Sequence, residues 1–435
     1  MDENSYRVYG YRWVVLLVFA LLNGVIQLNW ITFAPITVDC IVLYETSAFW
    51  IVMLSMSFML VYIIVSVPAS FIIDRYGIRI GVGIGAVLVS VFGYLRGAYA
   101  HDFTIVMVSQ IFLAVAQPFI MNSITKVGAE WFPLNERATV AGIVALSQFV
   151  GIILAMALTK PLAQSFMSEG STGPLDIAAV SGMLYIYGYI SIAAGVLFIL
   201  FARDCPPTPP SSAEDAERFS VKKGFSHLFA QPDMIRLLFL FFIGLGMFNA
   251  ISTFIDIILA SKGFVAGGNE AGNVGAIMMV AGVLGAIIIP TISDRIMKRK
   301  IFLVLCMTGM LPGLAGLTFF SGYVALLVSS GIFGFFFMAA YPIGFQYAAE
   351  VSHPAPESTS QGLIVLSGQV SGAIFITVMA LLGNISVEIL ADARKAADSI
   401  TMTPFMAGFV ALAVVNIVIS LFMKESSLVT DKRDG

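Results

Sequence analysis

The sequence predicts an all-α integral membrane protein with twelve transmembrane helices in two pseudo-symmetric six-helix bundles. Three observations predict it. Of 435 residues, 59% are hydrophobic and only 11% are charged, whereas a soluble domain carries roughly 25% charged residues to cover its outside. Apolar runs long enough to cross a hydrocarbon core of about 30 Å recur along almost the whole chain. The first half of the chain also matches the second at an offset of about 220 residues, the mark of a duplicated unit.

The runs fall in order at about 13–37, 48–73, 78–99, 103–128, 138–160 and 181–202, then 234–261, 271–293, 301–320, 323–349, 359–383 and 402–423. Gly, Ala and Ser inside them suit close helix–helix packing in lipid. Between the sixth and seventh runs lies the one long polar stretch, with Pro206-Pro207, Pro209-Pro210 and mixed charge, the composition of a linker. The expected organisation is a bundle over 1–202, a cytoplasmic linker over 203–232 and a second bundle over 233–435. Most of the 23 Lys and Arg residues, among them Arg12, Arg75, Arg79, Arg137, Arg203, Arg236, Arg295 and Lys300, fall on one side. The positive-inside rule then places both termini in the cytoplasm of a multi-pass protein of the cell (inner or plasma) membrane.

The internal match has the same order in both halves. Asp74-Arg75 after the second span pairs with Asp294-Arg295 after the eighth, and Glu130 closing the fourth pairs with Glu350 closing the tenth. Gly142, Leu146 and Ser147 in the fifth span pair with Gly362, Leu366 and Ser367 in the eleventh, and Asn29 in the first pairs with Asn249 in the seventh. Two parallel halves with a midplane site are the plan of carriers that work by alternating access.

Polar side chains at mid-depth in a bilayer face the bundle interior, so they trace a pathway. Asn23, Gln27, Trp30 and Thr37 are spaced 4, 3 and 7 apart on one face of span 1, with Asn29 beside Trp30. Gln117, Gln148, Asn249 with neighbouring Phe248, Ser252, Tyr341, Gln346 and Gln369 come from spans 4, 5, 7, 10 and 11. Asp39, Arg96 and Asp256 are read as lying near outer ends, leaving no mid-depth cation for a phosphate or dicarboxylate and no mid-depth carboxylate for a proton. The expected substrate is a small neutral or cationic organic solute, and Trp30 suits a quaternary ammonium. The expected carrier is a uniporter. A proton-coupled organic-solute or drug carrier, and a non-transporting membrane sensor or assembly partner, remain as alternatives. No enzymatic centre is expected, since there is no His cluster or Ser/His/Asp set, and Cys40, Cys205 and Cys306 lack metal-ligand spacing. No cofactor or metal is expected. With a net charge of −3, nucleic acid is not an expected partner; the partners are a small-molecule substrate and the lipid bilayer, and the protein is expected to be a monomer.

Two segments carry a resemblance. The loop 70–79, SFIIDRYGIR, resembles the loop 2–3 signature of the major facilitator superfamily in Asp74, Arg75, Gly77 and Arg79, with Ser70 in place of the leading glycine and Ile78 before Arg79. The resemblance implies a cytoplasmic gate in which Asp74 sits near Arg137 and the start of helix 11, with Arg75, Arg79, Asp294, Arg295, Glu130 and Glu350 as its other members. The segment 341–375, with its Pro-x-Gly-Phe, Ala-x-Glu, Thr-Ser-x-Gly-Leu and Gln-Val-x-Gly steps, is similar to the helix 10–11 region of the haem/choline transporter family named after the feline leukaemia virus subgroup C receptor. Asn29-Trp30-Ile31, Ala116-Gln117, Trp131-Phe132 and Asn135-Glu136 agree with it as well. That resemblance implies that Trp30, Gln117 and Gln369 lie where the family binds choline. Asn249 departs from the pattern, standing where the family has an aromatic tyrosine.

Overall fold

A computed structural model describes residues 8–133, 136–167, 174–208, 229–264, 268–296, 298–352, 357–382 and 402–425. Every regular element among them is helical. In hydrocarbon no water can satisfy backbone N–H and C=O groups, so spanning segments must bond internally. Eleven helices among the described residues are long and apolar enough to cross a membrane. One of them, with 51 residues, would run ~76 Å if straight, more than twice the hydrocarbon thickness. It is two spans joined at Gly77, whose φ of 88° and ψ of 176° interrupt the helix.

Chain contacts group the molecule into two units, Met1–Glu217 and Arg218–Gly435. The linker residues 209–228 lie outside the described set. The first unit contains α1 (Arg12–Ile31), a 3-10 turn at Ala34–Ile36, α2 (Thr37–Leu43), α3 (Ala48–Ala98), α4 (Phe103–Met121), α5 (Ile124–Trp131), α6 (Arg137–Gln164) and α7 (Ile177–Phe201). The second contains α8 (Pro232–Thr253), α9 (Ile255–Ala260), α10 (Glu270–Ile296), α11 (Lys300–Phe319), α12 (Tyr323–Ser352), α13 (Glu357–Leu382) and α14 (Thr403–Leu421).

Inside each unit the packing follows one scheme. In the first, α1 lies against α6 and α7, and α3 against α4 and α7. In the second, α8 lies against α13 and α14, α12 against α10 and α11, and α11 against α14. The α1–α6 contact is a backbone approach, since a Cβ on Gly151 would strike the carbonyl of Gly24, and one on Gly24 would sit 2.8 Å from the Ser147 oxygen. Polar caps start the helices where the sequence offers them. Asp102 accepts from the Thr104 N–H at 2.8 Å to open α4, and Asp176 accepts from the Ala179 N–H at 2.8 Å to open α7.

Two runs that read as single helices are broken. Span 1 stops at Ile31, turns through Ala34–Ile36 and restarts as α2, because Pro35 has no N–H to continue the ladder. The seventh span breaks at Phe254, between α8 and α9. The break removes Thr37 from the row with Asn23, Gln27 and Trp30, and its hydroxyl donates instead to the Phe33 carbonyl at 2.9 Å.

Candidate functional site

In the first unit the expected row on α1 is three residues long. Asn23 is fully buried and accepts from Gln148 Nε2 of α6 at 3.0 Å. Gln27, one turn on, places Nε2 3.8 Å from Met121 Sδ of α4, and Gln117 lies one turn before Met121. Gln27 and Gln117 are 6% and 3% exposed, and each holds a buried amide oxygen that has no hydrogen-bond donor. Such an atom costs about 1–3 kcal/mol. Trp30 is 7% exposed; its indole N–H donates to the Ser55 carbonyl of α3 at 3.2 Å, and its own carbonyl accepts from Ser55 Oγ at 3.3 Å.

Asn29 departs from that row. It is fully buried, donates to Val25 O at 2.8 Å and to Ser191 Oγ of α7 at 3.0 Å, and accepts from Arg96 at 2.7 Å. Both amide hydrogens are thereby used inside the bundle.

In the second unit Asn249 is half-buried and donates to the Gly368 carbonyl at 3.3 Å, next to half-buried Gln369. Phe248 stacks on Phe337 with centroids 4.9 Å apart and planes 10° apart. Tyr341 lies 4.3 Å from Phe345 and 6.1 Å from Phe241 between ring centroids. Gln346 does not join these residues. It is exposed and donates to Glu350 Oε1 at 3.2 Å, because it sits one turn before Glu350 near the end of α12.

The expected gate residues make separate contacts in the first unit and share one arginine in the second. In the first, the Asp74 side chain is 79% exposed and 3.9 Å from Lys126 Nζ, which donates to the Ile73 and Asp74 carbonyls at 2.7 and 3.1 Å. Arg75 lies over the Tyr76 ring at 5.5 Å. Arg137 donates to the Phe132 and Ala129 carbonyls at 3.4 Å each, closing the end of α5, where Glu130 is half-buried. In the second, Arg299 bonds both Asp294 and Glu350, the latter at 3.1 Å from Nε, while Arg295 is exposed. Burial works against the Arg299 charge, but the hydrogen bonds and charges of Asp294 and Glu350 outweigh it and hold the guanidinium above its usual pKa.

Four further groups escape sequence reasoning. Asp204, after the last helix of the first unit, accepts from the Arg79 N–H at 2.7 Å and occupies the space a Cβ on Gly77 would need. Glu425, after the last helix of the second, accepts from the Arg299 and Lys300 N–H groups at 2.6 and 3.2 Å. Each acid therefore caps the third span of its own unit. The two acids stand about 221 positions apart, so the repeat offset was the signal that could have paired them. Replacing Asp204 or Glu425 with alanine is expected to cost about 1 kcal/mol each, read as a lower unfolding temperature in detergent; asparagine or glutamine in their place should keep part of it.

The other two groups are the partners of Arg96 and the Asp39–Lys160 pair; the sequence reading places Arg96 and Asp39 only near outer ends. Arg96, Asp39 and Lys160 are buried, at 0%, 0% and 1% exposure. Lys160 Nζ of α6 meets Asp39 Oδ2 of α2 at 2.8 Å, and Asp39 Oδ1 accepts from the Leu175 N–H at 3.3 Å. These groups lie toward helix ends along the chain, yet they face inward across the bundle.

The profile of the Major Facilitator Superfamily matches residues 12–376. Solute carrier family 49 member A3 of Danio rerio is 31% identical over 393 residues, covering 87% of this chain and 80% of that protein. Choline/ethanolamine transporter FLVCR1 of Mus musculus is 30% identical over 386 residues, covering 84% and 68% respectively. Choline/ethanolamine transporter FLVCR2 of Homo sapiens is 28% identical over 387 residues, covering 86% and 72%. Among solved structures, a bacterial homologue of the human lysosomal transporter Spinster, inward-facing and unoccupied, superposes with a TM-score of 0.76 at 14% identity over 96% of this chain and 98% of that one. The D-xylose-proton symporter does so at 0.70, with 14% identity over 96% and 99%.

Proposed function

The chain belongs to the major facilitator superfamily and, within it, to the family named after the feline leukaemia virus subgroup C receptor, and from that premise we propose that it carries a choline- or ethanolamine-like amine across a membrane as a uniporter. That it is a multi-pass membrane transporter of a small molecule follows from the membership. The substrate, the lack of ion coupling and alternating access are the parts proposed.

The observation that carries the substrate class is the pair of buried amide oxygens on Gln27 and Gln117, without donors, in the same bundle as Trp30. An oxygen acceptor and an aromatic face both favour a cation, and neither favours an anion. In this reading the candidate binding residues are Trp30, Gln117, Gln27 and Gln148 within the first bundle and, taken separately, Gln369, Asn249, Phe248 and Tyr341 within the second. The charged groups Asp74, Arg75, Arg79, Arg137, Glu130, Asp294, Arg295 and Glu350 serve as the cytoplasmic gate. The protein works as a monomer in the plasma or inner membrane with both termini inside, which the distribution of Lys and Arg supports.

Uptake of labelled choline and ethanolamine into proteoliposomes tests this. The expected result is saturable uptake whose rate is independent of an imposed proton gradient. A second reading is favoured by one observation: the buried Asp39–Lys160 pair supplies an ionisable group that a uniporter does not need. Movement of protons driven by substrate would select that proton-coupled carrier instead.

A further inference from the structure

We propose that Arg96 is a positioning residue: it caps the broken end of the first membrane helix and so fixes the pose of Trp30. The link from Trp30 to transport rests on the function proposed above; the capping does not.

A helix that ends inside a membrane bundle leaves its last carbonyls without N–H partners, and in hydrocarbon no water replaces them. The α1 helix ends this way at Ile31, ahead of Pro35. Three consecutive carbonyls at that end accept from side chains. Leu28 O accepts from the Thr32 hydroxyl at 2.7 Å, and Trp30 O from Ser55 Oγ at 3.3 Å. Asn29 O accepts from both Arg96 Nη1, at 3.3 Å, and Gln110 Nε2, at 3.1 Å. Arg96 also donates to Asn29 Oδ1 and Gln110 Oε1, each at 2.7 Å, and its guanidinium lies 5.4 Å from the centre of the Phe33 ring.

A fully buried guanidinium without a carboxylate is costly, and among the described residues no ion pair involves Arg96. The negative end of the α1 dipole, with the ring face of Phe33, takes the place of the missing anion. One planar fork thereby joins the ends of α1 and α3 to Gln110, two turns inside α4, at the residue next to Trp30. Among the described residues the second unit shows no such device. At the repeat offset Gly316 and Ser330 stand where Arg96 and Gln110 stand in the first, and α8 ends on an ordinary backbone bond from the Phe254 N–H to Ala250 O at 2.9 Å.

The test combines a local probe with transport. The four tryptophans are labelled as 5-fluorotryptophan, and the Trp30 fluorine resonance is assigned by its absence in Trp30→Phe. Arg96→Lys keeps the charge but loses the planar fork. Gln110→Leu keeps Arg96 but removes the second donor to Asn29 O, and it carries the test if the lysine variant does not fold. In either variant the Trp30 resonance is expected to shift or split while the other three stay in place. The KM for choline is expected to rise about ten-fold, equivalent to most of one cation–π contact, with Vmax per folded molecule little changed. An unmoved Trp30 resonance in both variants overturns the proposal, even if the unfolding temperature falls, because only bulk stability would then depend on the fork. A moved resonance with an unchanged KM upholds the capping role and removes Trp30 from the substrate site.

Discussion

Lys160→Met is expected to destabilise the first bundle by about 3–5 kcal/mol, the usual cost of breaking a buried ion pair from one side. The substitution leaves the Asp39 carboxylate fully buried, with the Leu175 N–H, 3.3 Å away, still donating to it. The readout is the yield of monodisperse protein and its unfolding temperature in detergent. Asp39→Asn alone should also destabilise, because it leaves the buried ammonium without its carboxylate counter-charge. The double variant Asp39→Asn with Lys160→Met should recover most of the loss: the asparagine oxygen can still accept from Leu175, and a neutral pair avoids the desolvation of two charges. If both single variants keep the parent's unfolding temperature, the pair is hydrated rather than buried. The double variant serves function as well, since it removes the titratable group that a proton-coupled carrier could use. Gradient-independent choline uptake in it would leave the uniporter reading standing.

The membrane class and the repeat were legible because both follow from constraints that act on long stretches of chain. Every span must bury its own backbone bonds, so apolar runs of helical length are unavoidable, and a duplicated unit keeps its order of helices. The third span, read from 78, begins just after Gly77, where the structure has its positive φ. Helix breaks were not legible to the same degree. Hydropathy continues across Thr32–Ile36 and across Phe254, and only Pro35 marks the first of them. Counting by 3.6 residues through that break put Thr37 on the face of Trp30, where it does not lie.

The buried charges were misread for a different reason. Position along a span reports depth in the bilayer, not which way a side chain faces across the bundle. Arg96 and Lys160 sit near helix ends, where snorkelling to water is the default for a long cation. Arg96 instead turns inward to Asn29 and Gln110, and Lys160 to Asp39. The partner that makes each burial tolerable comes from another helix, which local spacing does not reveal.

Trp30→Ala is expected to abolish saturable uptake of a cationic substrate, and the structure determines how that result must be controlled. The indole is 7% exposed and bonded to the Ser55 carbonyl, so truncation to alanine removes packing worth about 3–5 kcal/mol as well as any substrate contact. Loss of uptake in that variant alone would therefore report folding and binding together. Trp30→Phe separates them. It keeps most of the volume, gives up one hydrogen bond worth about 0.5–1.5 kcal/mol, and leaves a ring whose face attracts a cation less strongly than an indole. A desolvated cation–π contact of ~2 kcal/mol corresponds to about 30-fold in affinity, so the phenylalanine variant should reach the membrane at normal levels and raise the KM for choline roughly ten-fold. A neutral solute of similar size, if carried, should lose much less, because it never gained from the ring's charge distribution. Equal KM changes for the cation and the neutral solute would make Trp30 a shape contact. No change for either would place recognition elsewhere, and the buried amides of Gln27 and Gln117 would then be the next groups to replace.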